Sequence, residues 1–130
     1  MSKRESQKNK KPAEKLKILM IHGYRQNEAA FRERSGGMRK SLKSHAEFIF
    51  CEAPHIIQNK IVTDDVAKSD EEVKDNIEKG WWFSAEDGSY NAHDYTGIHT
   101  GFDETLNYIN KICEKEGPFD GVLGLLLLFN

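Results

Sequence analysis

Cysteine is nearly absent from this sequence, no apolar run is long enough to cross a bilayer, and neither sign of charge dominates. Cys51 and Cys113 are too far apart for a metal-binding motif and too few for a disulfide framework, which points to a reducing, intracellular setting. The longest apolar stretch, Val122–Phe129 with one glycine, falls well short of the roughly 20 residues that a spanning helix needs. Residues 1–15 lack the apolar core of a signal peptide. A formal net charge of −2 argues against a nucleic-acid binder driven by phosphate contacts. Neither Gly-x-Gly-x-x-Gly nor a P-loop occurs, so a flavodoxin-like nucleotide binder has no phosphate-cradling backbone to rest on. A chain of 130 residues without these features is expected to be one soluble, cytoplasmic domain with a real core, bound to no membrane and needing no cofactor.

What is present centres on Leu16–Gln26, LKILMIHGYRQ. Its apolar start fits a strand covered on both faces, and Gly23 lets the backbone turn tightly and aim bare N–H groups at a ligand. Ligands of parallel sheets sit beyond the carboxyl ends of the strands. Before it, residues 1–15 carry six Lys or Arg and almost nothing apolar, the composition of a mobile basic arm. Asn9-Lys10-Lys11-Pro12 within it admits a nuclear-import reading, although a solvated tail is favoured.

After the strand, Asn27 caps a helix expected to reach about Ser44, with Phe31, Ser35, Met38 and Leu42 as its packing stripe. Gly36-Gly37 inside it cost about 1 kcal/mol each relative to alanine, so the helix breaks there or something packs very close. Ala46–Ala53 reads as a second strand closed by Pro54, and His55 beyond it as a turn residue rather than a base. Gln58–Gly80 is acidic and solvated, with a short helix near Glu71–Lys79; its carboxylates lack the spacing of an EF-hand, and no metal site is expected. Trp81-Trp82-Phe83 cannot all enter one core, so at least one is expected to line a groove or anchor the loop over the site, with simple packing of a long insertion as the equal alternative. Ser84–Thr96 is loop. A helix capped by Thr100 and Asp103 follows, with Phe102, Leu106, Ile109 and Cys113 as its buried stripe and Gly117-Pro118 as its stop. Asp120–Gly124 starts a third strand. The β-α-β-(loop)-α-β pattern predicts an α/β fold, a parallel sheet of about three strands in order 2-1-3 with helices on both faces.

His22-Gly23-Tyr24-Arg25-Gln26-Asn27, Ala53-Pro54-His55, Trp81-Trp82-Phe83 and Gly117-Pro118-Phe119-Asp120-Gly121-Val122-Leu123-Gly124 occur in the order and approximate spacing of the FSH-type serine hydrolases. The chain resembles these small α/β-hydrolase esterases, a family that includes the ovarian-tumour-associated esterase, from about Lys17 to Gly124. The resemblance implies the N-terminal part of an α/β-hydrolase over residues 16–130 and a small-molecule acyl ester as substrate. In such enzymes a serine on a Gly-x-Ser-x-Gly turn attacks the acyl carbon, a histidine takes its proton, and an aspartate orients the histidine. Two backbone N–H groups hold the oxyanion, one of them from the loop after the strand equivalent to Leu16–Ile21. Tyr24 N–H is the candidate here, with His22, Gly23 and Trp82 placed around the substrate.

The resemblance fails where the nucleophile should stand. Gly124 is followed by four leucines, so that Leu126 takes the serine position and Leu128 that of the second glycine. The triad aspartate and histidine follow the serine in these enzymes. His45, His55, His93 and His99 all precede the turn and are not expected to replace them. No catalytic residue is therefore assigned, and the chain as written is expected to be inactive. The leucine run is expected to mark truncation, splicing or a frame change after Gly124. A non-catalytic ligand-binding or regulatory α/β protein that keeps the hydrolase groove is the alternative.

Overall fold

The computed structural model describes residues 14–57, 77–91 and 95–125. Along the chain it holds β1 (Leu16–Ile21), α1 (Glu28–Arg34), α2 (Gly36–Leu42), β2 (Ala46–Cys51), β3 (His55–Ile56), β4 (Lys79–Gly80), α3 (Phe102–Glu116) and β5 (Gly121–Gly124). The first 13 residues of the basic arm, His93, most of the acidic stretch and Leu126 lie outside the described residues.

β1 is the centre of a parallel sheet ordered β2-β1-β5, the 2-1-3 arrangement expected from the sequence. It pairs with β2 from Leu16↔Ala46 to Ile21↔Cys51 and with β5 from Ile18↔Gly121 to Ile21↔Gly124. Side chains alternate between the two faces of the strands. Leu19, Ile21 and Cys51 look towards Tyr108, Ile109 and Ile112 of α3. Phe50 looks the other way and meets Phe31 of α1 edge-on, with ring centroids 5.8 Å apart. Both faces of β1 are thus covered, and Leu19 and Met20 are buried at 1% and 0% exposure. β5 is less protected. Val122 and Leu123 are exposed, and among the described residues its outer edge has no strand partner, a template for pairing with another strand.

Three expectations require revision. The helix after Asn27 takes the broken alternative, two helices of seven residues each that meet at Ser35 beside Gly36-Gly37, and does not run unbroken to Ser44. The Ser35 hydroxyl donates to the Phe31 carbonyl at 2.7 Å, competing with the backbone ladder, and the two glycines offer no resistance to the break. Among the described residues no element packs closely on Gly36 or Gly37, and Met38 and Leu42 are exposed. Asn27 does cap α1, its Oδ1 accepting from Ala30 N–H at 2.8 Å, which contributes about 1 kcal/mol. Second, β2 ends at Cys51, since Ala53 N–H is diverted to a side chain described below. Lys79 and Gly80 form an antiparallel pair with Ile56 and His55, and the short helix expected near Glu71–Lys79 lies mostly outside the described residues.

Third, α3 keeps Ile109 of the expected stripe on the core but turns a different face to the sheet. Leu106 and Cys113 are exposed, whereas Thr105 is buried and Tyr108, Ile109 and Ile112 pack on the core. Counting only apolar positions gave the wrong stripe because the buried stripe begins with a polar residue, Thr105. The helix is capped by Gly101, in a left-handed conformation at φ 85°, with no side-chain cap from Thr100 or Asp103. Gly117 is its C-cap in extended conformation, where an added Cβ would overlap the Cys113 carbonyl oxygen.

The hinge at Gly101 offers a direct test. Its carbonyl bonds the His55 ring Nε2 at 3.0 Å, and a Cβ there would overlap that ring. Gly88 shares the left-handed backbone at φ 79° but has open space around it. Gly88→Ala is expected to cost about 1 kcal/mol from backbone strain, and Gly101→Ala about 2–3 kcal/mol from strain plus the collision. Urea midpoints of the two variants separate the contributions.

Candidate functional site

β1 stops at Ile21 and the chain turns through His22–Gln26. Arg25 takes a left-handed conformation at φ 65°, and the turn closes with Gln26 N–H on the Gly23 carbonyl at 3.1 Å. Gln26, 7% exposed, also accepts the Gly23 N–H on its side-chain oxygen at 3.2 Å. Arg25 N–H donates to the Lys79 carbonyl at 3.0 Å, and Lys79 N–H donates to the Gln26 carbonyl at 2.9 Å. The turn is therefore clamped from within and from β4. Of its amides from Gly23 to Gln26, that of Tyr24 alone has no partner among the described residues.

His22 fastens this turn to its neighbours. Its Nε2 accepts the Ala53 N–H at 3.0 Å and its Nδ1 lies 2.9 Å from the Gly23 carbonyl. An imidazole that accepts at Nε2 and faces a carbonyl at Nδ1 is neutral and carries its proton on Nδ1. Burial at 1% exposure pushes its pKa below the ordinary 6.5, against a smaller upward push from the Gly23 carbonyl. The Trp81 indole N–H donates to the His22 carbonyl at 2.8 Å, and the two rings lie 5.0 Å apart. The Thr105 hydroxyl in turn donates to the Trp81 carbonyl, tying α3 to the same point. His22 thus links the ends of β1 and β2 to the aromatic segment, with both ring nitrogens already engaged.

A cavity of about 250 Å³ opens beside this assembly, lined among others by Gly23, Tyr24, Trp81, Trp82, Gly124 and Leu125. It lies at the carboxyl ends of β1 and β5, where the topology places a ligand. Trp82 is held edge-on by Tyr90 and Phe102, with centroids 5.4 and 5.5 Å away, and Tyr24 leans on Tyr90 at 5.2 Å. Phe83 turns away from the cavity to pack on His55. The three adjacent aromatics therefore divide their roles as one sequence constraint required: two line the cavity and one supports the loop.

The structure brings His22, Gly23, Tyr24 and Trp82 to one cavity. It places His55 elsewhere, in the β3–β4 pair against Gly101, and His99 on an exposed loop. Gln26 and Thr105 were not singled out by sequence. The cluster of polar residues directly after β1 was a signal for Gln26; a lone threonine on a helix gave none for Thr105. Among the described residues no group of acidic, His or Cys side chains has metal-binding geometry.

A family model described as Serine hydrolase (FSH1) matches residues 11–125. The chain belongs to this serine hydrolase family. It is similar to Esterase OVCA2 of Danio rerio, 38% identical over 113 residues, covering 84% of this chain and 50% of the relative. It is also similar to Esterase CG5412 of Drosophila melanogaster, 36% identical over 85% of this chain and 37% of the relative. Esterase C25G4.2 of Caenorhabditis elegans is 38% identical over 85% of this chain and 45% of the relative. The chain spans between about a third and a half of the length of these serine hydrolase relatives. Among the described residues no helix is long and apolar enough to cross a membrane.

Proposed function

We propose that this chain carries the oxyanion side of a carboxylic-ester hydrolase site and does not itself supply a nucleophile. The reading is supported by Tyr24, which lines an apolar cavity and whose N–H, alone among the clamped amides of its turn, has no partner among the described residues, as an oxyanion donor requires. Gly23, without a Cβ, leaves the approach open, and Trp82 and Tyr90 form an apolar wall suited to the carbon chain or ring of an acyl ester. His22 acts by positioning, because its ring nitrogens are committed to Gly23 and Ala53. Gly124 and Leu125 also line the cavity, and by sequence count they would begin the family's nucleophile turn, with Leu126, which has no hydroxyl, at the serine position. The substrate class is a small acyl ester, with no cofactor required by this chemistry. The two free thiols favour a cytoplasmic location, and the basic residues before Pro12 are the basis for a nuclear alternative.

Exposure of the purified chain to a fluorophosphonate probe is expected to give no covalent adduct by intact mass, with acyl-ester turnover at the buffer rate. An adduct mapped to any serine would overturn the assignment. Titration of a non-hydrolysable acyl phosphonate or ketone, followed by the Tyr24 amide resonance, tests the oxyanion donor separately. A shift of that resonance is expected, and binding that leaves it unmoved would remove Tyr24 from the site.

A further inference from the structure

Between α1, α2 and β2 the molecule carries a second concavity with a different character. It measures about 640 Å³ and is lined by Lys15, Arg32, Arg39, Lys40 and Lys43, with Glu47 as its acid and Phe48 and Phe50 as its floor. The chain as a whole has a formal charge of −2, so this is a local concentration of positive charge against the overall sign. Arg32 is neutralised by Glu28 at 2.7 Å, whereas Lys15, Arg39, Lys40 and Lys43 form no ion pair among the described residues.

Two of the cations are also fixed in place. The guanidinium carbons of Arg32 and Arg39 lie 4.3 and 5.3 Å from the centroid of the same Phe50 ring. Arg39 Nε donates to the Ser35 hydroxyl at 3.2 Å, and one terminal nitrogen donates to the Arg32 carbonyl at 2.6 Å. Those bonds exist because α1 breaks at Ser35, which exposes the last carbonyls of one helix to a side chain of the next. Two guanidiniums sharing one ring repel each other, and an anion lying across them would relieve that repulsion while using the donors each still has free. The remaining lysines are flexible point charges that adapt around such an anion.

We propose that this groove binds a small molecule bearing two or more linked phosphates. A single phosphate would engage few of these cations, and the volume lies within the range of small-ligand sites. Arg39 holds one phosphate in fixed geometry, Lys40 and Lys43 neutralise the next, and Phe48 offers an apolar face to whatever the phosphates carry. The groove shares no lining residue with the ester cavity, so its occupancy stands independently of the hydrolase reading.

Calorimetric titration of the full chain with inorganic tripolyphosphate and, separately, ATP tests this. One saturable site is expected for both, weakening as salt rises from about 50 mM to about 200 mM. Tighter binding of ATP assigns an added contact to the organic moiety; equal binding assigns the affinity to the phosphates. Arg39→Gln and the double variant Lys40→Gln/Lys43→Gln are each expected to lose about tenfold in affinity. The lysine pair makes no hydrogen bond within the described fold, so its thermal midpoint should match that of the parent. Lys111→Gln/Lys115→Gln on α3 is expected to bind as the parent does. Equal affinity in all variants would overturn the site. So would a single-stranded oligonucleotide that binds more tightly than either small probe, because the groove would then serve a polymer.

Discussion

Replacing His22 with alanine is expected to remove about 3–5 kcal/mol of folding stability, more than a change at any exposed position would. The substitution leaves the Ala53 N–H buried without an acceptor, which alone costs about 1–3 kcal/mol. It also empties the space beneath the Trp81 ring, and the surroundings, clamped by the Gly23–Gln26 turn, cannot collapse freely into it. His22→Gln supplies a side-chain oxygen that can still accept from Ala53 and is expected to recover part of the loss. The imidazole adds a pH dependence. Burial holds its folded pKa below 6.5, so in acid the unfolded chain takes up a proton that the folded chain does not. Its contribution is complete above about pH 6.5 and falls as the pH drops from there through the lowered folded value. Urea unfolding at about pH 7.5 and about pH 5.5 should show the parent losing stability in acid and His22→Gln losing less of it. An equal acid loss in both would mean that His22 is already protonated in the folded state, contrary to its acceptance of the Ala53 N–H.

The sheet was legible because its signals are redundant. Leu16–Ile21 is apolar on both faces, which admits only a central strand, and the two crossovers then fix the order of the other strands. Where a single signal decided, the sequence misled. The face of α3 was misjudged because Thr105 is buried through a hydroxyl bond to the Trp81 carbonyl, a partner 24 positions away that no periodicity shows. The break at Ser35 depended on one hydroxyl turning back on its own helix. His22, Gly23, Tyr24 and Trp82, which motif order singled out, line one cavity, since turns after parallel strands converge on one edge of the sheet. The division of labour among them was not legible. Whether a histidine meets a ligand or its own backbone depends on where Ala53 N–H points, and that is set by the path of the chain after β2.

Trp81 carries the second large effect. Its indole N–H and its ring both meet His22 at the end of β1, and its carbonyl receives α3, so one residue ties β1 and α3 to the aromatic segment. Trp81→Ala is expected to cost about 3–5 kcal/mol, a large share of the 5–15 kcal/mol that a domain has available. Trp81→Phe keeps a ring over His22 but leaves the His22 carbonyl without its donor, and about 1–2 kcal/mol is expected. Because the two side chains touch, their losses should not add. A double-mutant cycle between Trp81→Phe and His22→Gln is expected to give a coupling of about 0.5–3 kcal/mol, read from urea midpoints. Simple additivity would show that the indole bond and the imidazole act separately, and the cavity beside Tyr24 would then be held by the Gln26 clamp alone. Coupling instead makes the Trp81 wall of the cavity and the turn that carries Tyr24 one mechanical unit, so that a ligand pressing on Trp81 would also act on that turn.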